Sequence, residues 1–308
     1  MRVGIVDVGS NTARLLVADV LAGRDVRTVE ARKTYLGLGA EIADTGTLAE
    51  PTIEAAATAC RGFAKRALAL GAVRAEVVVT APGRQGAAAA ALVGAIRDRT
   101  RLRVQTLSAD DEGRLAFEGA VARCSDELPE VIGVVDVGGG STEIVVGTQL
   151  GGPGWVRSVD LGSLRLTRLA LRDDPPGRRR VTWARATVRE ALADVQPIRP
   201  DIAFAVGGSA RGLAKLVGRT FPRDELDDVI AALARRRSTK VARANGLEPT
   251  RARTLLAGAI LLAEASQTLD RPLTLARGGL REGAALALAT EGAAAGTSLR
   301  EVPGERAA

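Results

Sequence analysis

Two stretches of this chain place the same chemical groups in the same order. In one, Ile132-Gly133-Val134-Val135-Asp136-Val137 runs into Gly138-Gly139-Gly140-Ser141-Thr142-Glu143 and resumes as Ile144-Val145-Val146. In the other, Val3-Gly4-Ile5-Val6-Asp7-Val8 leads through Gly9-Ser10-Asn11-Thr12 to Leu15-Leu16-Val17. An apolar run, a polar turn and an apolar return read as a strand, a tight turn and an antiparallel strand. Glycine lets backbone N–H groups close on something seated in the turn, because no Cβ holds it off. Asp7, Asp136 and Glu143, with the hydroxyls beside them, are groups that would hold a metal-bound phosphate. Gly, Ser, Asn and Asp also favour ordinary hairpin turns, so either copy alone is compatible with plain structure. Plain structure leaves the repeated polar order unexplained, and two copies imply two related halves facing one ligand.

The chain has no histidine. Imidazole bases, His triads and His metal sites are therefore excluded, and acid–base work falls to carboxylates. Ser108-Ala109-Asp110-Asp111-Glu112 sets three acids at a predicted helix start. Acids there complement the helix dipole; the sharper reading is that one of them serves as a general base. Arg84 follows a predicted strand and a Pro-Gly turn, at the carboxyl end of a strand where open α/β sheets bind ligands. Gly207-Gly208-Ser209 follows the apolar run Ile202–Val206 and is either a plain strand-to-helix turn or a third anion contact. The runs Arg178-Arg179-Arg180 and Arg235-Arg236-Arg237 read first as solvated helix faces, and more sharply as a track for a long polyanion.

The elements that must position these groups follow from the totals and the punctuation. A chain of 308 residues with 46% hydrophobic and 26% charged residues can bury two domain cores. Aromatics are only 2%, which disfavours stacking on single-stranded bases, and no specific nucleic-acid partner is expected. The net charge is +7, and only Lys33, Lys65, Lys215 and Lys240 among 43 basic residues are lysines. Arginine suits phosphate oxygens because its fork is fixed. Cys60 and Cys124 form no C-x-x-C pair and read as thiols in a reducing compartment. No apolar run is long enough for a span and no signal-type start is seen, so a cytoplasmic protein without a membrane partner is expected.

Along the chain, a hairpin over Arg2–Val20 and a strand at Val26–Ala31, joined by a turn at Ala22-Gly23-Arg24, precede a connector at Tyr35–Gly39. A helix over Thr47–Leu70, a strand at Glu76–Thr80, a helix over Ala87–Arg99 and a strand at Leu102–Leu107 come next. The helix from Ser108 then runs to about Arg123. Ser125–Glu130 is the expected boundary. The second half repeats three strands and then alternates helix and strand. Each half thus predicts a mixed five-stranded sheet with helices outside. The domains are expected at 1–126 and 127–279, with the final helix, about 280–292, free to pack back on the first, and 293–308 as a flexible tail.

With these residues in view the chain resembles the actin, Hsp70 and sugar-kinase fold, and within it the Ppx/GppA phosphatases. The resemblance rests on Asp7–Thr12, Thr80–Arg84, Leu107–Leu115, Val135–Glu143, Gly207–Ser209 and Gly279–Gly283. It implies two actin-like (ribonuclease H-like) α/β domains with an interdomain cleft. By the same resemblance Glu112 activates the attacking water and Arg84 binds the terminal phosphate. Gly9, Ser10, Asn11 and Thr12 cradle phosphate together with Gly138, Gly139, Gly140, Ser141, Gly207, Gly208 and Ser209. Asp136, Glu143 and Asp7 support Mg²⁺ or another divalent cation. The implied activity is removal of the terminal phosphate of inorganic polyphosphate, short chains being favoured where the added domains of longer relatives are missing. Alternatives are hydrolysis of guanosine pentaphosphate, or binding without turnover. A homodimer is compatible with all three.

Overall fold

The computed structural model describes residues 1–21, 25–84, 87–124 and 128–295. The turn expected at Ala22–Arg24, part of the boundary expected at Ser125–Glu130, and the tail from residue 296 lie outside the described residues. The chain forms two compact units: Met1–Leu107 with the chain from Ala284, and Ser108–Gly283.

The first unit contains β1 (Arg2–Val8), β2 (Thr12–Val20), β3 (Val26–Tyr35), α1 (Leu38–Thr45) and α2 (Glu50–Ala69). It continues with β4 (Arg74–Val79), α3 (Ala81–Arg84), α4 (Ala89–Thr100) and β5 (Arg103–Thr106). The sheet order is β3-β2-β1-β4-β5. β1 to β3 are antiparallel neighbours, and β4 and β5 run parallel to β1. Central strands are covered on both faces, so β1 and β4 read as nearly unbroken apolar runs. One face buries Val6, Val8, Leu15 and Val77 against Phe63, Leu92 and Ile96 of the helices. α1 begins inside the stretch expected as a connector, because Leu38 has a fully buried place in this core.

The second unit opens with α5 (Ala109–Val121), β6 (Ile132–Val137), β7 (Thr142–Thr148), β8 (Gly152–Val159), α6 (Ser163–Ala170) and α7 (Gly177–Ala191). β9 (Ile202–Val206), α8 (Gly207–Val217), β10 (Thr220–Phe221), α9 (Arg223–Leu233) and α10 (Ser238–Asn245) follow. α11 (Pro249–Leu269), β11 (Leu273–Leu275) and α12 (Leu280–Ala295) end it, the last running on into the first unit. The sheet order is β10-β11-β9-β6-β7-β8. Here the expectation of five strands is corrected to six. β10 pairs antiparallel with β11 at the edge and buries Phe221 completely; two residues are too few to carry a period.

The boundary also moves. α5 packs Ala116, Phe117 and Ala120 on Val134, Val145 and Val206 of the second sheet, so the division falls at Leu107/Ser108 instead of at residue 126. On the other face, α11 is buried on nearly all sides, the mark of a central helix. The chain from Ala284 is tied to the first unit, where Arg74 Nη1 donates to the Leu288 carbonyl (3.1 Å) and Arg103 pairs with Glu291 (2.7 Å).

Candidate active site: two hairpin turns and a carboxylate cluster

Both glycine hairpins form, and they close with the same bond. Gly9 N–H donates to the Thr12 carbonyl at 3.0 Å, and Gly138 N–H donates to the Ser141 carbonyl at 3.0 Å. Behind each turn, the start of the next helix ties its carbonyls back. Gly39 N–H donates to Ser10 O (2.7 Å), and Leu36 and Gly37 N–H donate to Asn11 O (2.8 and 3.1 Å). In the second unit, Ser163 donates to Gly138 O through N–H (2.9 Å) and Oγ (3.0 Å), and Leu164 and Arg165 N–H donate to Gly139 O. Among the described residues, no backbone carbonyl accepts from the amides of Ser10, Asn11, Gly139 or Gly140. A turn with its carbonyls engaged and its amides open is polarised to receive an anion.

The second hairpin gathers acids. Asp136 and Glu143 are cross-strand partners in the β6–β7 ladder. Glu143 is 2% exposed and accepts from Ser158 Oγ at 2.8 Å. Burial pushes its carboxyl well above the usual carboxylate range, and the charges of Glu112 and Asp136 push the same way, against the hydroxyls of Ser141 and Ser158. Glu112 arrives from α5, whose three leading acids have separate fates. Asp111 closes a capping box with Ser108, accepting from Ser108 N–H (3.3 Å) and Oγ (2.6 Å) while Ser108 Oγ accepts from Asp111 N–H. Asp110 is exposed, and Glu112 is buried. The helix-start reading of this stretch holds for Asp111, and Glu112 is the acid of the three that is buried. Gly113 brings α5 close enough, since a Cβ there would press on Val156 (2.9 Å) and Val145 (3.0 Å).

Gly207 seats Asp136. It has φ +85°, and a Cβ would overlap the Asp136 carboxylate oxygen, so only glycine fits. Gly208 is half-buried beside it. Ser209 turns away from the hairpin: it is 1% exposed, packs on Gly258 of α11, and its hydroxyl has no partner. Its hydroxyl faces α11, where α8 and α11 pack together, so any anion contact at this helix start falls to its backbone. The Gly279–Gly283 motif has a positioning role: the missing Cβ of Gly119 admits the Gly279 carbonyl, and that of Gly283 admits the Leu115 carbonyl, against α5, the helix that carries Glu112.

In the first unit the partner of Asp7 across the β1–β2 ladder is Arg14. Cys60 lies near enough to feel the Asp7 charge; burial, with Asp7, pushes its thiol up to about 12, so it is an inert core thiol. The parallel registers set Val8 beside Val79 and Val79 beside Thr106. Gly9, Arg84 and Leu107 therefore leave the sheet at the same ends of three adjacent strands. Arg84 Nη1 donates to the Leu107 carbonyl at 2.5 Å. Gly83 packs on Val79 and Thr106, leaving no room for a Cβ.

Sequence reasoning missed Ser158, Ser163 and Gly113. Ser158 had no motif to announce it; only the β7–β8 register sets it opposite Glu143. Among the described residues no three acids or thiols stand grouped as a metal cluster. Mg²⁺ is commonly held by one or two carboxylates plus waters and substrate phosphates, and the hard oxygens of Asp136 and Glu143 fit that mode as a pair. Asp7 belongs to the other unit.

Fold and turns define an actin-like α/β protein built around two like glycine hairpins. The chain matches the model of the Ppx/GppA phosphatase family over residues 16–291. It belongs to that family, and so to the phosphoanhydride hydrolases. It is 33% identical over 282 residues to exopolyphosphatase 1 of Mycobacterium tuberculosis, covering 86% of this chain and 81% of that one. The Aquifex aeolicus Ppx/GppA enzyme superimposes with a TM-score of 0.79 at 25% identity, over 93% of this chain and 99% of that one. A Cytophaga hutchinsonii exopolyphosphatase shares the fold, with a TM-score of 0.83 at 20% identity over 94% and 98% of the two chains.

Proposed function

We propose that the protein is an exopolyphosphatase, hydrolysing the terminal phosphoanhydride of inorganic polyphosphate. The observation that carries this reading is the pair of turns with open amides, one of them beside the Glu112, Asp136 and Glu143 carboxylates. Open backbone amides stabilise charge developing on phosphoryl oxygens without reorganising. Arg84 adds a fixed fork for the terminal group. Glu112 accepts a proton from water and orients it for in-line attack, the role left to a carboxylate in a chain without histidine. Ser158 and Ser141 hold Glu143, and Gly207 holds Asp136, as the pair that would carry Mg²⁺. When bound, that ion would neutralise charge on the bridging phosphate oxygens. Among the described residues Cys60 and Cys124 form no disulfide, in keeping with a reducing, cytoplasmic setting.

The test is phosphate release from polyphosphates of graded length and from guanosine pentaphosphate, with and without Mg²⁺. The proposal expects Mg²⁺-dependent release from polyphosphate at every length. Faster release from guanosine pentaphosphate would move the assignment to the nucleotide, and inertness toward all substrates would leave a binding protein.

A further inference from the structure

Two arginine runs that are far apart in sequence meet on the surface of the second unit. Arg178, Arg179 and Arg180 open α7; Arg235, Arg236 and Arg237 join α9 to α10. The residues just before each run are bonded together: Gly177 N–H donates to the Ala234 carbonyl at 3.4 Å. Asp174 adds a second tie, accepting from Ser238 N–H (2.8 Å) and Oγ (2.6 Å) at the other end of the later run. All six side chains are exposed. Arg180 pairs with Asp173 at 3.7 Å and stands over the Trp183 ring. Among the described residues the other five have no acidic partner.

The fold does not account for these arginines. Later on the same helix, Arg185 and Arg189 are committed to the buried Glu264 (3.1 and 2.8 Å). The first turn of α7 has no acid, nor does that of α10, whereas α5 and α9 both open with acids. Cations at a helix start oppose its dipole, and six exposed like charges repel one another. The arrangement is locally unfavourable until an anion arrives, and a polyvalent one meets both runs at once. With the Trp183 ring already facing Arg180 there is little aromatic surface for stacking bases, which favours a chain of phosphates over nucleic acid.

We propose that the two runs form one docking surface for the body of a long polyphosphate chain, on elements that carry none of the turn residues. The identity of the ligand rests on the exopolyphosphatase reading; the surface itself does not. The test uses the full chain and two triple variants, Arg178→Ala/Arg179→Ala/Arg180→Ala and Arg235→Ala/Arg236→Ala/Arg237→Ala. Labelled long-chain polyphosphate, tripolyphosphate and poly(A) RNA are titrated directly, and phosphate release is followed in parallel. Each variant is expected to bind long chains about tenfold or more weakly, with the log–log salt slope reduced by roughly 2. Turnover of tripolyphosphate and the melting temperature are expected to be kept. Unchanged long-chain binding in both variants overturns the proposal, as does a loss that comes with a lower melting temperature and lower tripolyphosphate turnover. RNA binding as tight as that of polyphosphate, and equally sensitive to the variants, overturns the ligand assignment. A parent that binds long chains through these arginines yet releases no phosphate from any substrate upholds the surface and defeats the exopolyphosphatase reading.

Discussion

The hairpins at residues 7–14 and 136–143 share one scaffold and differ in the charge of one cross-strand pair. Each turn closes with a 3.0 Å glycine bond, and each leans its carbonyls on the helix that follows. In the first, Asp7 faces Arg14; in the second, Asp136 faces Glu143. Opposite charges across a ladder balance one another, while like charges destabilise it. The second hairpin then receives a third acid, Glu112, and leaves Glu143 with a raised proton affinity. The two turns thus offer the same open amides, and the charge of one cross-strand partner separates them; on the proposed reading it is the second that would take a cation.

The largest expected effect tests the acid that only the second hairpin has. Glu112→Gln should lower phosphate release by roughly 10²–10⁴-fold with ligand binding retained in direct titration; undiminished turnover would reject Glu112 as the base. Gly207→Ala strikes the support of Asp136. It should cost about 1–3 kcal/mol in urea unfolding, and lower Mg²⁺-dependent release with it. Arg14→Glu gives the first hairpin the charge pair of the second. About 1 kcal/mol of stability should be lost, in part recovered by added Mg²⁺; an unaltered urea midpoint would show that this pair does not distinguish the hairpins.

The smallest effect is a reference from outside both turns. Glu30 lies between arginines, as Glu143 lies between acids. The hydrogen bonds of Arg66, then of Arg32, lower its carboxyl from 4.5 to about 2 against the effect of burial. A folded pKa below the unfolded one stabilises the protein above pH 4.5 and is lost as pH falls toward 2. Glu30→Gln should therefore lower stability modestly at neutral pH and flatten the acid limb of a pH–stability profile in that window, the variant and the parent converging toward pH 2. A profile identical to the parent would show that this ion pair is solvated in solution.

Much of the site was legible because its backbone chemistry is local. Asp-x-Gly between two apolar runs specifies a hairpin wherever it occurs, and both turns formed where their residues indicated. The run of three acids after Ser108 was legible as a helix start, but not which acid would enter the cluster. That choice depends on the side of α5 facing β7 and β8, and Gly113 decides how near it comes. Ser209 shows the opposite case: a hydroxyl in a phosphate-like motif faces a neighbouring helix, because α11 packs at Gly258.

By itself the sequence determined two apolar frameworks, two glycine turns with an aspartate before each, the exclusion of histidine chemistry, and an abundance of arginine. Those properties live in residue type and short spacing, where φ/ψ freedom and side-chain chemistry act directly. Only the tertiary structure decided that α5 sits on the second sheet, that Glu112 joins Asp136 in raising the proton affinity of Glu143, and that two distant arginine runs lie side by side. Each of these is a contact between segments far apart in the chain. Packing of complementary apolar faces selects such contacts, and no local pattern records which face will find which.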